Sequence, residues 1–360
     1  MSGLKVAIVG YGRIGRVHAA AVRAERDVAR VVICDPALAT PEGDAIAVGT
    51  PIYGNVEAML ASVRPDVVHV CTPPSTHASI AGRALRAGAR VLVEKPMTVS
   101  TEESTRLGAV LRDHPGALCV DHNFLFEPEV LLARRWVAAG RIGRVVGVDA
   151  FYGVDTLVGA TGPGAWSAAL PGGRFTDLLP HPIYLTIAFL GAVRGVSARW
   201  RGHGEVSGDP TELAAVLECE RGLGVVHVSL ATVPWELGIT LRGTEGTIRV
   251  DLARQRAVLL RPAGGPRPIA ALRMAASAGT QTAVGTVRRV TGKLSGRLRG
   301  YPGLRALVAR HYASIRDGLP PPVSFGDGAA TVSVLERIRL QLAARREPGR
   351  RAELLGRVHA

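Results

Sequence analysis

The chain has 360 residues, 47% of them hydrophobic, with four cysteines and a formal net charge of +14. This length and composition exclude a disordered or disulfide-stapled protein and fit two domains with ample core. No apolar run reaches bilayer length and no leader pattern precedes the first strand, so a cytoplasmic protein without a membrane partner is expected.

Taken in chain order, the first third alternates strands and helices. Leu4–Val9 is strand-like and a helix follows from about Arg13 to Glu25. Val31–Cys34, Asp66–Cys71, Arg90–Val93 and Ala117–Val120 are further apolar strands. Between them lie a short helix capped by Asn55, a helix over His77–Ala87 stopped at Gly88, and a helix opened by the Ser100/Glu103 capping box. Such alternation specifies an α/β fold with a doubly wound parallel sheet, since parallel strands need crossover helices. After His122 the rhythm changes. A helix over Glu129–Ala139 leads into Val145–Phe151, and the closely spaced strands Leu213–Glu218, Gly224–Ala231, Gly238–Arg242 and Gly246–Val250 suit a largely antiparallel sheet, with a final helix over about 330–345. The expectation is therefore an N-terminal Rossmann domain over 1–121 and a C-terminal α+β domain over 122–350.

The basic excess is nearly all arginine, and from Arg254 to Arg310 there is no acid at all. That stretch carries Pro- and Gly-rich turns and a small-residue segment, Ala275–Thr286, without the interleaved aromatics of a single-strand platform. It reads as a solvated loop or a phosphate-attracting rim, and no nucleic-acid partner is expected. Cys34, Cys71, Cys119 and Cys219 form no C-x-x-C pair and read as reduced thiols, and no metal site is expected.

The chemistry begins at Gly10-Tyr11-Gly12-Arg13-Ile14-Gly15, a G-x-G-x-x-G between a strand and a helix. Gly10 permits the tight turn, Gly12 lets the backbone approach a pyrophosphate, and Gly15 lets helix and strand pack closely. Asp35 ends the second strand, where a carboxylate can accept both hydroxyls of the adenosine ribose, which favours NAD over NADP; the alternative is that Asp35-Pro36 is only a turn. Lys95, within Glu94-Lys95-Pro96, emerges from an apolar strand at the carboxyl edge of the sheet, a place suited to a substrate hydroxyl or carbonyl.

The glycine turn, Cys71-Thr72-Pro73-Pro74-Ser75-Thr76-His77, Glu94-Lys95-Pro96, and Glu127-Pro128 followed by Gly140-Arg141-Ile142-Gly143 together resemble the Gfo/Idh/MocA oxidoreductase family. The resemblance implies an NAD-dependent dehydrogenase or ketoreductase acting on a sugar, sugar nucleotide or cyclitol. It also implies a second motif, met here by Trp166 and by Gly172-Gly173-Arg174-Phe175-Thr176-Asp177-Leu178-Leu179-Pro180-His181. Asp177 and His181 match the family's D-x-G-x-H-x-x-D, four apart and so on one face if a helix starts there. Pro171, Leu179 and Tyr184 depart from it; Tyr184 stands where the last Asp is usual.

The mechanism implied has His181 accept the proton of a secondary alcohol while hydride leaves its carbon, an imidazole being suited to this near neutrality. Lys95 stabilises the developing alkoxide, and Asp177 holds or tunes the pair. The roles of Lys95 and His181 as proton acceptor are interchangeable at this level. Without the resemblance, His181-Pro182 reads rather as a buried turn and Asp177 as a cap. Arg13, Ile14, Thr72, Pro73, His77 and Glu94 are assigned to the cofactor, and Asn123, Trp166, Arg174 and Tyr184 to the substrate. His18 reads as a packing residue. Two other functions fit the same family pattern: an NAD-dependent glycoside hydrolase using transient oxidation, and a dinucleotide-binding sensor. A homodimer or homotetramer is expected, because the second sheet has an outer face to bury.

Overall fold

The computed structural model describes residues 3–38, 49–155, 165–202, 210–294 and 300–346. By internal contacts the chain divides into two units. One is the chain to Asn123 together with Gly303–Ser333; the other is Phe124–Pro302 together with the chain from Val334 on.

In the first unit, strands β1 (Leu4–Val9), β2 (Val28–Cys34), β3 (Ile52–Tyr53), β4 (Val67–Val70), β5 (Arg90–Val93) and β6 (Leu118–Val120) form one sheet in the order β3-β2-β1-β4-β5-β6, all parallel. Helices α1 (Arg13–Val22), α2 (Val56–Val63), α3 (His77–Arg86) and α4 (Thr101–Leu111) make the crossovers. The order reverses at β1/β4, the switch point beside which ligands bind in open α/β sheets. Local sequence explains the helix boundaries. Asn55 Oδ1 accepts from Ala58 N–H, and Ser100 Oγ accepts from Glu103 N–H, each satisfying an otherwise orphaned donor. Helix α3 ends where Gly88 takes φ +86°. Strands β1, β4 and β5 are buried almost throughout, as a sheet covered on both faces requires.

The second unit holds α5 (Pro128–Ala138), β7 (Val145–Asp155), α6 (Ala165–Ala168), α7 (Phe175–Leu178), α8 (Pro180–Leu190), β8 (Val193–Arg201), β9 (Glu212–Cys219), β10 (Gly222–Ser229), β11 (Ala231–Gly243), β12 (Thr247–Asp251), β13 (Arg256–Leu260) and α9 (Arg267–Leu294). Its seven strands lie in the order β13-β12-β11-β7-β10-β9-β8, antiparallel except for the β10–β7 pair. The inner face, built from Val148, Ala150, Val226, Val228, Leu241 and Ile248, packs with α8 residues Tyr184, Leu185 and Phe189. Helix α8 is buried nearly all round, and this is why its sequence shows no helical alternation of polar and apolar residues.

Two segments depart from the sequence reading. The Arg-rich stretch expected to be a loop instead forms β13, the 28-residue helix α9 and the start of α10 (Pro302–Asp317). Its alanines, read as loop-like small residues, are the strongest helix formers. Residues 303–333 return to the first unit, whereas the sequence reading places all of 122–350 in the second domain. Helix α10 buries Leu304, Leu307, Val308 and Tyr312 completely, and the Tyr312 hydroxyl lies 3.0 Å from His69 Nε2 on β4. The division of the chain then falls within α11 (Phe325–Arg346). All four cysteines are unpaired; burial pushes the Cys34 thiol up to about 11. No helix among the described residues is long and apolar enough to cross a membrane.

Candidate active site

The glycine turn is built by steric necessity. A Cβ on Gly10 (φ +87°) would lie 2.8 Å from the Cys71 backbone, and one on Gly15 would lie 2.0 Å from the Gly10 carbonyl oxygen. Gly12 differs: a Cβ there would meet nothing within 4 Å. No protein contact demands glycine at Gly12, so the open space on that side suits a ligand that approaches the backbone. Helix α1 begins there with no side-chain cap and no acid in its first turn, leaving N–H groups and the positive dipole end available to phosphates. These features fit a dinucleotide. Arg13 is exposed at the first helical position, Ile14 is half-buried, and Tyr11 is buried beneath the Arg16 guanidinium, 5.8 Å from its ring centre.

Asp35 makes the turn that the sequence offered as one of its two readings, and braces the glycine turn as well. Its Oδ2 accepts from Tyr11 N–H at 2.7 Å, bracing the glycine turn, and its Oδ1 accepts from Ala37 N–H at 2.9 Å, closing the turn. The carboxylate is half-buried and keeps lone pairs beyond these two bonds.

Two expected cofactor contacts are replaced by internal bracing. His77 is fully buried, with Nδ1 2.8 Å from the Pro96 carbonyl and Nε2 2.7 Å from the Thr72 carbonyl. Burial lowers its pKa, although the two carbonyls favour its charged form. The ring ties the Thr72 loop to the Lys95–Pro96 corner and presents no polar edge to a ligand. Thr72 itself is half-buried and accepts from the Thr76 hydroxyl, while Pro73 is exposed. Glu94 is likewise turned inward: Oε2 accepts from Lys95 N–H and Oε1 lies 3.1 Å from His18 Nε2.

His18 is more than a packing residue. Its Nε2 also lies 3.2 Å from Asp121 Oδ2, its Nδ1 is 2.9 Å from His69 Nδ1, and His18, His69 and Asp121 are fully buried. Burial alone would lower the His18 pKa, but Cys71, Asp121 and Glu94 outweigh it and hold it well above the usual value. Burial opposes a charged Glu94, yet His18 holds it ionised below the usual carboxylate range, while burial and Glu94 push Asp121 up. Burial drives His69 well below its usual value. Hydrogen-bond accounting then fixes the protons. A charged His18 donates to Glu94 and to His69 Nδ1, and neutral His69 donates from Nε2 to Tyr312. His18, Glu94 and Asp121 place ligand-type atoms within 4.8 Å of one another. An imidazolium between two carboxylates accounts for that geometry without an ion. The sequence hint was a polar Asp121 ending the apolar strand β6. His122 beside it is held neutral, pushed down to about 3 by burial.

Lys95, half-buried, leaves β5 at its carboxyl end, one residue beyond this brace. In the second unit, Leu179 continues helical backbone from α7 into α8, so Asp177 and His181 stand one turn apart. His181 is buried against the rings of Phe124, Tyr152 and Tyr184, at 4.6, 5.7 and 5.6 Å between centres. Tyr184, assigned from sequence to the substrate, is 2% exposed and instead engages His181: its hydroxyl lies 2.9 Å from Nδ1 and accepts from Phe124 N–H at 3.3 Å. Phe124 and Tyr152 carried no motif and were not anticipated. Arg174 and Asn123 are half-buried, Arg174 just before α7, and the Trp166 side chain lies outside the described residues.

Helix α9, which forms the middle of the Arg-rich stretch, does not lie beside His181. Helix α9 lies over the sheet face bearing Asp149, Phe151, His227 and Thr240, opposite the face that carries α8 and His181, and a cavity of about 570 Å³ separates it from those side chains. Arg288 and Arg289 therefore lend no support to a diphosphate rim beside His181.

A Rossmann unit with an uncapped glycine turn, followed by a mostly antiparallel unit bearing a helix-borne histidine, defines a nicotinamide-dependent dehydrogenase. Residues 4–122 match the oxidoreductase family GFO_IDH_MocA, NAD-binding Rossmann fold, and residues 130–249 match the GFO/IDH/MocA C-terminal domain; the chain belongs to this family and is an NAD-dependent oxidoreductase acting on CH–OH groups. It is 28% identical over 270 residues to an inositol 2-dehydrogenase of Rhizobium meliloti, covering 73% of this chain and 79% of that protein. A dTDP-3,4-didehydro-2,6-dideoxy-alpha-D-glucose 3-reductase of Streptomyces violaceoruber is 30% identical over 59% of this chain and 60% of its own. Among solved structures, a dehydrogenase from Bordetella pertussis in complex with NADH and UDP-GlcNAcA shares the fold at TM-score 0.71 and 21% identity, covering 95% of this chain and 96% of its own.

Proposed function

We propose that the protein transfers hydride between NAD and a secondary alcohol or ketone of a sugar, sugar nucleotide or cyclitol, with Lys95, Asp177 and His181 carrying the proton and charge chemistry. The observation that carries this reading is the preparation of His181. Its Nδ1 is held by Tyr184 inside an aromatic shell, so a proton on Nδ1 leaves Nε2 as an acceptor. Bound NAD supplies the hydride acceptor. His181 takes the hydroxyl proton, Lys95 stabilises the oxyanion as a cation, and Asp177, one turn before His181, orients the pair. Gly10, Tyr11, Gly12, Arg13, Ile14, Gly15 and Asp35 hold the dinucleotide, with Asp35 disfavouring a 2′-phosphate by charge. Arg174 and Asn123 are the polar groups assigned to substrate hydroxyls.

The reading extends to the cytoplasm and to a homodimer or homotetramer; Val216, Leu223 and Val225 on the second sheet are exposed apolar surface that pairing would cover. The test is NADH formation across a panel of inositols, glucosides and nucleotide sugars. Lys95→Ala and His181→Ala should each bind NAD normally and lose about 100-fold or more in turnover. Full turnover in either variant overturns the assignment. Free sugar released from a glycoside without net NADH points instead to the hydrolase chemistry.

A further inference from the structure

Helix α9 is amphipathic in the reverse sense to a helix that covers its own sheet. Its half-buried side is made of small and polar residues, Ala278, Gln281, Thr282, Gly285 and Arg289. This side is pinned through Gln281, whose side-chain amide both donates to and accepts from the Leu259 backbone on the edge strand β13, and through Arg289, which donates to the Arg254 carbonyl. The large apolar side chains Ile269 and Leu272, and after an interval of small residues Val284, Val287, Val290 and Leu294 at three- and four-residue steps, fall on the other side and are 47% to 83% exposed. Two clusters of large apolar side chains on one face of a helix are more exposed apolar surface than a folded monomer usually leaves in water without an occupant.

Charge selects the occupant. No Asp or Glu occurs between Asp251 and Asp317, and Arg267, Arg273 and Arg288 are exposed on the same helix. A second copy laid stripe to stripe would bring cations against cations with no acid to pair them. A nucleic acid would leave the apolar stripe unused. An anionic bilayer surface satisfies both parts, since apolar side chains enter the headgroup boundary while arginines remain at the phosphates. We propose that α9 is a peripheral docking helix that holds the protein on an anionic phospholipid surface. The stripe lies on the sheet face away from His181, so docking is independent of the proposed active site.

Full-length protein would be sedimented with vesicles of phosphatidylglycerol and phosphatidylcholine in equal parts, and with phosphatidylcholine alone. Binding to the anionic vesicles is expected and should weaken as salt rises. Val287→Asp and Leu272→Asp should each lower it by about tenfold or more, and Arg288→Glu by a comparable factor through reversal of charge. All three side chains are exposed, so NAD binding and turnover should be unchanged and serve as folding controls. Absence of binding to anionic vesicles, or Val287→Asp and Arg288→Glu binding like the parent, overturns the proposal. So does a change in solution mass on Val287→Asp, because the stripe would then be covered by another copy of the chain.

Discussion

His181 Nδ1 and the Tyr184 hydroxyl lie 2.9 Å apart on adjacent turns of α8, where the family pattern leads one to expect a carboxylate rather than a phenol. A phenol orients the imidazole as a carboxylate does but carries no charge at neutral pH, so it gives the imidazolium no Coulombic support.

Substitution at Tyr184 separates orientation from charge. Tyr184→Phe removes a hydrogen bond worth about 1 kcal/mol, and turnover should fall roughly fivefold to tenfold. Tyr184→Asp restores an oriented partner and adds a negative charge that favours the protonated ring. The acid limb of the pH–turnover curve for alcohol oxidation should then move to higher pH, as measured by initial rates of NADH formation. An unmoved limb would place the titrating group elsewhere.

The glycine turn offers a second separation. Gly15→Ala forces a side chain against the Gly10 carbonyl and should cost both stability and NAD affinity. Gly12→Ala enters open space, so thermal stability should stay near the parent while NAD affinity falls about tenfold or more. Calorimetric unfolding together with NAD titration reads both quantities. Equal affinity in Gly12→Ala and the parent would argue against phosphate approach on that side.

His18 is predicted to support stability rather than touch ligand. His18→Gln leaves Glu94 and Asp121 without their cation and should destabilise the fold by about 3–5 kcal/mol in denaturant unfolding. The pH sign follows from the raised pKa of His18. Its contribution is complete below the ordinary value of 6.5 and is lost as pH rises through the higher folded value. Asp121, also raised, acts in the same direction, its contribution falling above the ordinary value of 3.8. Stability of the parent should therefore decline from neutral toward alkaline pH, and His18→Gln should flatten that slope.

The parts legible in the sequence were those set by short-range rules. The parallel strands, the Asn55 and Ser100 caps and the glycine turn each follow from a few adjacent residues, and the structure places them within a few positions of expectation. Helix α8 was reached only through the spacing of Asp177 and His181, because burial on all sides erases its period, and β8 and β13 were missed among short mixed stretches. Partnerships between distant residues left no local mark. Tyr184 is the near exception: three residues from His181, it was read as a substrate residue because it stands where the family pattern has its last Asp. His18 looked like filler because Glu94, Asp121 and Tyr312 are remote along the chain. Helix α9 was mistaken for a loop because its apolar positions are diluted by Ala, Gly and Thr.

The bond between Tyr312 and His69 also governs the order of events during synthesis. The parallel sheet is complete in the chain by Val120, yet the helix that seals His69 is translated only some 180 residues later. At about 5–20 residues per second, the nascent Rossmann unit stands unsealed for roughly ten to forty seconds. For that interval its newly made interior is a place for chaperones to engage, and a ribosome stalled before Pro302 would release a sheet with its sealing helix still missing.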